Sequence, residues 1–551
     1  MDENLDEQAL RELEEELNTK IYPGTEIMRA VGTHHFVKSG HGNQNVLVPQ
    51  PSDDPHDPLN WSPFWKNTAI FCATALSFSL NLGPLALAPM FGAYIEEWNR
   101  SLADVVQFTG VAILCLGFSN FIWVPIMVCF GRRPVAIFAT LICVASSIWR
   151  ALATSYDSFM GACILNGLAA GPCESLMPQV IADVIFLHDR GKYQTLYFAM
   201  YFISLMVGPI IAGAMAEHTG WRSFWWFNTG LLIFTMILNI CLFPETRYKR
   251  AYEAPGSTKT RNDHAENLAR NTTNTSTLKA AESGTPLSPQ LTHQDPHLGR
   301  GRPSKSQFLP WQKRSGETAS SILRELWLPL YLHLYPIVEF ASFVVSWSAS
   351  AFLVVNLSQT QAFAAPSPYG YSSQTIGLFN LAVLAGAVVG LFTSGPLSDW
   401  VAGRLTARNG GVREPEMRLV AMVPYVLVMM LGSVVTAVGY DHRWPWQAIV
   451  VVGYGCVGMQ VAALPSIAST YAIDSYKPIT GSMFVTITVN KNVWGYGISK
   501  FLTPWAEESG FVPPILMNMA LLTVFAGCGI IFWFFGKRFR GITANSFVHK
   551  L

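Results

Sequence analysis

The feature that most constrains this chain is a series of apolar runs of about 20 residues each, the length a helix needs to cross a hydrocarbon core of about 30 Å. They fall near 67–90, 103–128, 134–153, 158–186, 193–216 and 223–243. After a polar interval they resume near 328–356, 374–398, 418–439, 446–471, 480–503 and 513–535. Inside lipid, backbone N–H and C=O groups must be satisfied within their own segment, so runs of this length read as helices. The expected fold is an all-α integral membrane protein with twelve transmembrane helices in two six-helix bundles. The runs holding Pro84 and Pro465 are candidates for broken helices, because a break is tolerated where backbone lines a cavity.

Polar stretches set the divisions: a disordered tail over 1–60, a first bundle over 61–244, a polar loop over 245–325, a second bundle over 326–536 and a short tail over 537–551. Only 13% of the residues are charged, against about 25% in a soluble domain. Lys+Arg (37) nearly equals Asp+Glu (36), so no basic excess points to nucleic acid. The nine cysteines form no C-x-x-C pair, and His34-His35 has no further ligand at useful spacing, so neither a metal nor a cofactor is expected. Met1 to Lys20 is charged and no cleavable leader is visible, which leaves the first span as the targeting signal. A nucleotide-binding glycine loop, H-E-x-x-H and G-x-S-x-G are all missing, which argues against an enzyme.

Lys and Arg favour alternate loops. One side carries Arg132, Arg133, Arg190, Lys192, Arg247, Arg404, Arg408 and Arg418, and the other little beyond Arg100, Arg222 and Arg443. By the positive-inside rule both termini and the central loop are cytoplasmic. The sequon at Asn99 then faces outside as a possible N-glycosylation site, whereas Asn271 and Asn274 face inside.

Charges within the spans are costly, at least about 2.5–3.5 kcal/mol each, and so call for a partner or a function. Glu174 lies in span 4, Glu339 in span 7, and Lys491 in span 11 between Asn490 and Asn492. Either acid is a candidate proton carrier, with Lys491 holding the partner charge or an anionic substrate. The structural alternative is that Lys491 pairs with one acid and locks the bundles together. Asp183 reads as part of a charge network at the inner end, beside Arg190. Among the aromatic residues, Tyr197, Tyr201, Trp347 and Tyr454 are candidates to line a cavity.

Three motifs then carry a resemblance. Gly131-Arg132-Arg133-Pro134 follows span 2, Gly395-Pro396-Leu397-Ser398-Asp399 stands at the equivalent place in the second half, and Gly208-Pro209 with Gly213 lies in span 5. Together they resemble signatures of the major facilitator superfamily. Asp57-Pro58-Leu59-Asn60-Trp61, Pro244-Glu245-Thr246-Arg247-Tyr248, Glu414-Pro415-Glu416-Met417-Arg418 and Asp474-Ser475-Tyr476-Lys477-Pro478 are similar to marks of its fungal drug:proton antiporter group. The resemblance implies a monomeric secondary transporter in the plasma membrane, with a small organic substrate and protons as its ligands. It implies proton-coupled efflux, with uptake of an organic cation such as a polyamine as the alternative. A non-transporting membrane receptor is the alternative of another class. Two departures matter. Val124 and Val128 replace the signature's opening Gly and its Asp, whose gating contact is then absent or supplied elsewhere, with Asp183 and Asp399 as candidates. Cys163 stands where many drug:proton antiporters have an arginine linked to coupling.

Overall fold

The computed structural model describes residues 22, 24–27, 51–52, 54–248, 298–309, 319–365, 367, 369–476, 479–543 and 546. His34, His35, Asn271, Asn274 and Lys477 lie outside them.

In the first half, span 1 is α1 (Pro63–Leu82) and, after an interruption at Gly83 and Pro84, α2 (Phe91–Trp98). Spans 2 and 3 are α3 (Leu102–Phe130) and α4 (Arg132–Leu152). Span 4 comprises α5 (Tyr156–Ala170) and α6 (Pro172–Val184), and spans 5 and 6 are α7 (Leu187–Thr219) and α8 (Trp221–Leu242). The second half opens with α9 (Ala319–Tyr331), which leads through a 3₁₀ turn at Leu332–Leu334 into α10 (Pro336–Phe363) as span 7. Then follow α11 (Ser373–Arg408), α12 (Val423–Asp441), α13 (Gly455–Ser475) and α14 (Thr480–Ser509). Span 12 is α15 (Val512–Gly527) with α16 (Gly529–Thr543).

Among the described residues, nine helices are long and apolar enough to cross a membrane by themselves. The other three crossings, made by α1, by α5 with α6, and by α14, fall short because they are interrupted or polar. They carry Asn81, Glu174 and Lys491. Pro84 does sit in a break, but Pro465 is carried inside the continuous helix α13. The second pronounced break comes instead at 332–335, where Pro336 has no N–H to continue the α9 ladder.

The halves meet along two seams, α3 against α14 and α7 against α11. Small residues bring the backbones together. A Cβ on Gly213 would lie 2.4 Å from the Ser373 carbonyl oxygen, and one on Gly377 would lie 2.7 Å from that of Pro209. Gly208 likewise lets α7 approach the Leu82 carbonyl of α1. At the face opposite the termini the halves are also joined by hydrogen bonds. Thr360 donates to the Ala88 carbonyl at 2.7 Å, and Gln107 donates to that of Ser499 at 3.0 Å. The Asn99 side of that face is exposed.

The division limits need correction. Residues 54–61 of the supposed disordered tail fold into a turn closed by Asp57, which accepts the Leu59 N–H at 3.0 Å, and Trp61 is fully buried. Further up the tail, β1 (Glu26–Ile27) pairs antiparallel with β2 (Val412–Arg413). Thr25 donates to Glu414 at 2.8 Å and accepts from Arg540 at 3.1 Å. Both corrections share one cause: backbone polar groups find partners on the helix-end loops, so little apolar burial is needed. The limits at 325 and 536 also shift, because α9 begins at Ala319 and α16 reaches Thr543. Arg540 is fully buried and chelated by Glu414 and Glu416, which holds that last turn down.

Two outcomes are expected. Gly213→Val forces α7 and α11 apart, and the purified protein should lose about 1–3 kcal/mol of stability, read by chemical or thermal denaturation. Burial pushes the Glu414 carboxyl up, but the Arg540 charge and the hydrogen bonds from Arg540 and Lys537 outweigh it, leaving the group below its ordinary range. Its contribution is therefore present at neutral pH and lost as pH falls through that lowered value. Amide exchange at 25–27, relative to the intrinsic exchange rate at each pH, should accelerate under that acidification, and already at neutral pH in Glu414→Gln.

Candidate central cavity

A cavity of about 100 Å³ opens between the halves at mid-depth. Its walls are mostly apolar and aromatic: Phe198 and Phe202 from α7, Phe352 and Leu353 from α10, and Phe484 and Ile487 from α14. Against this lining stand a few polar groups, chiefly Asn81, Glu174, Tyr201, Lys491 and Asn492.

Glu174 is placed by the interruption of span 4. Gly171 packs so close to Ser119 that a Cβ would lie 2.1 Å from its Oγ, and Pro172 follows without an N–H. The carboxylate in the next turn is only 4% exposed. It hydrogen-bonds the Lys491 ammonium, which comes from the other half. Tyr201 donates to the same oxygen at 2.6 Å and accepts from Lys491 at 2.9 Å, while Asn492 donates to the second oxygen at 3.3 Å. The Lys491 nitrogen also lies 5.1 Å from the centre of the Tyr201 ring. A buried carboxylate, a phenol and an aromatic face thus surround one ammonium group, satisfying the demand that buried charges be paired and hydrogen-bonded.

Other residues singled out in the sequence fall elsewhere. Glu339 is outside this cavity; it bonds His333, and Asn490 donates to it at 3.4 Å. Tyr197 does line the cavity, but Trp347 packs on Trp494 and Phe525, and Tyr454 bonds Tyr440 in the second-half core. Alternation along a helix could not separate these aromatics, since α10 is buried on nearly every side.

The signature residues assemble at the face bearing the termini. Gly131 has φ 107°, and its would-be Cβ is filled by the Glu245 carboxylate at 2.2 Å. Glu245 accepts the backbone N–H groups of Arg132, Arg133 and Arg247 at 2.9, 3.0 and 2.9 Å. Burial raises its pKa, against the opposing pull of these donors. Arg133 caps the α8 C-terminus through the Asn239 and Ile240 carbonyls, while Arg132 pairs with Asp183 at 2.9 Å. That ion pair stands where Val128 leaves the signature without its acid. In the second half Asp399 pairs with Arg418 at 2.7 Å, and Arg418 reaches Asp474 at 2.8 Å. Gly395 has no close neighbour, and the Arg190 side chain is outside the described residues. The tail and loop motifs also meet: Tyr248 donates to Asp54 at 2.9 Å, and Gln307 accepts the Glu245 N–H at 2.9 Å.

Sequence reading missed Arg150 of α4. It is fully buried, hydrogen-bonds Asn166, and lies beside Cys163 and 4.5 Å from the Trp225 ring centre. A guanidinium thus stands beside the position where span 4 has lost its arginine, delivered from the neighbouring span.

Two helical bundles around a central cavity, closed at one face by small-residue seams, define a membrane transporter. The chain belongs to the Major Facilitator Superfamily, whose family model matches residues 68–495. It is similar to an uncharacterised MFS-type transporter of Schizosaccharomyces pombe, at 24% identity over 97% of this chain and 94% of the relative. It is also similar to Protein HOL1 of Saccharomyces cerevisiae, at 25% over 90% of each chain, and to the probable efflux pump mfs2 of Aspergillus flavus, at 24% over 84% of this chain and all 100% of that one. Among solved structures, the xylose transporter XylE from E. coli, partially occluded and inward open, shares the fold. The TM-score is 0.54 at 12% identity, covering 86% of this chain and 98% of that one.

Glu245→Ala would strand three buried N–H donors. The expected loss is about 1–3 kcal/mol, read as a lower melting temperature of the purified protein, with Glu245→Gln losing less.

Proposed function

We propose that the protein exports a small organic compound in exchange for protons, by alternating access across the Glu174–Lys491 bridge. The observation that carries this reading is the bridge itself: one acid of the first half and one base of the second meet among the polar groups of the cavity lining. Either a proton on Glu174 or a cationic substrate group beside it removes the attraction that holds Lys491. Binding of one ligand is thereby set against the other, which is the requirement for exchange. The aromatic lining favours a flat or lipophilic compound over a sugar. Export is supported by the relative named an efflux pump.

Uptake of an organic cation is the second reading. It is favoured by the Glu174–Tyr201 arrangement around the Lys491 ammonium, which would suit an amine equally well. In both readings the termini and the charge networks at 131–133, 183 and 245 face the cytoplasm, in the plasma membrane, with Asn99 outside. We place the proton-coupled step at Glu174, and assign the signature residues to holding each bundle rigid while it rocks.

The test is growth of a transporter-deficient yeast expressing this chain on toxic organic compounds and polyamines, with intracellular compound measured. Resistance with lower content is expected for export, and sensitisation to polyamines with higher content for uptake. Glu174→Gln should lose pH-driven flux by tenfold or more, about 1.4 kcal/mol, while remaining inserted. Flux like the wild type across a pH gradient in that variant would refute the assignment.

A further inference from the structure

Span 7 contains a second pair of titratable side chains that the cavity does not use. His333 lies in the 3₁₀ turn between α9 and α10, and Glu339 lies in the first turn of α10, on the other side of Pro336. Their side chains hydrogen-bond each other across the break. Both are partly exposed, 34% for His333 and 23% for Glu339, so the pair is not sealed within the bundle.

The two helices that this contact joins have different tasks. α10 forms a wall of the central cavity through Val345, Ser350 and Leu353, whereas α9 packs on α3 of the opposite half. α9 is also tied to α14 by Thr486, which donates to the Pro329 carbonyl at 2.8 Å. A change of angle at 332–335 therefore moves α9, and α14 with it, relative to α10. The backbone at the break is held by few bonds, chiefly Tyr335 N–H to Leu332 and Glu339 N–H to Tyr335, each at 3.0 Å.

The pair is also wired to the bridge. Asn490 donates to Glu339 at 3.4 Å, its neighbour Lys491 bonds Glu174, and Asn492 donates to the second Glu174 oxygen at 3.3 Å. Three consecutive residues of α14 thus hold the acids of both halves. A shift of this turn that favours one acid draws it away from the other.

We propose that His333 and Glu339 form a proton-binding hinge in span 7, which loads from water at the terminus-bearing face and sets both the angle of α9 and the hold of α14 on Glu174. One proton added to the pair makes it His⁺–Glu⁻ and creates an attraction across the break; its removal ends that attraction. The other charged groups on the neighbouring elements are engaged elsewhere: Lys491 of α14 with Glu174, Asp474 of α13 with Arg418, and Lys537 and Arg540 of α16 with Glu414 and Glu416. Tyr331 and Tyr335 flank the turn, Tyr471 of α13 lies near Glu416, and Arg324 of α9 is exposed to solvent.

The inference rests on proton coupling but needs no substrate to test. Spin labels at Asn67→Cys in α1 and Ala407→Cys in α11, with the native cysteines replaced, report the spacing of the halves at the terminus-bearing face. In the full chain in lipid nanodiscs, moving from pH about 5 to about 8 should change the ratio of short to long distances by about fivefold or more. Glu339→Gln and His333→Gln should abolish the response, and Glu339→Asp should restore part of it. A wild-type response retained in both hinge variants overturns the proposal, as does a wild type that does not respond. If Glu174→Gln alone abolishes the response, the proton sits only at the cavity; the hinge is then refuted and the transport reading stands.

Discussion

The arrangement of this transporter depends on one ion pair that crosses its centre. A carboxylate and an ammonium buried in an aromatic cavity each carry a large desolvation cost, and neither half supplies a sufficient partner alone. Glu174 and Lys491 meet that cost together, with Tyr201 and Asn492 filling the remaining hydrogen-bond positions. The polarity that weakens α6 and α14 as free-standing membrane helices is thus the polarity that defines the site. Their stability comes from neighbours: α14 lies along α3 and α10, and α6 lies against α1.

Around this centre the two faces are built on different physics. The face opposite the termini closes through backbone proximity, with Gly213 and Gly377 letting α7 and α11 come within contact of each other's carbonyls. The terminus-bearing face is organised by charge. Arg132, Arg133, Asp183 and Glu245 brace the first half, and Asp399, Arg418, Asp474, Glu414, Glu416 and Arg540 brace the second. These networks hold each bundle as a unit, which alternating access by rocking bundles requires. The short strand at 26–27 adds the amino-terminal tail to the second half.

Much of the fold was legible because the membrane admits few solutions: apolar runs of helical length, in two sets of six, leave little freedom. The intramembrane charges were legible for the same reason, and Glu174 with Lys491 proved to be partners. What stayed hidden was three-dimensional adjacency. Glu339 and Glu174 look alike in sequence, yet only one faces the cavity, because the break at 332–335 turns Glu339 toward His333. Arg150 sits near a span end and reads as an interfacial arginine, although its side chain turns into the bundle. Glu245 reads as a loop acid, and nothing in its spacing reveals that it fills the space above Gly131. The ordered turn at 54–61 was missed because its local bonds are completed by residues about 250 positions away, Gly301 and Gln307.

The central claim is that Glu174 and Lys491 act on each other across the cavity, and a double-mutant cycle on the purified full-length protein measures this directly. Melting would be followed for the wild type, Glu174→Gln, Lys491→Met and the double variant. The account predicts that each single variant melts lower than the wild type and that the double variant loses clearly less than the sum, because removing the second charge relieves the one left unpaired. Additive losses would mean that the two charges do not act on each other, and the bridge could not then be what substrate and proton contend for.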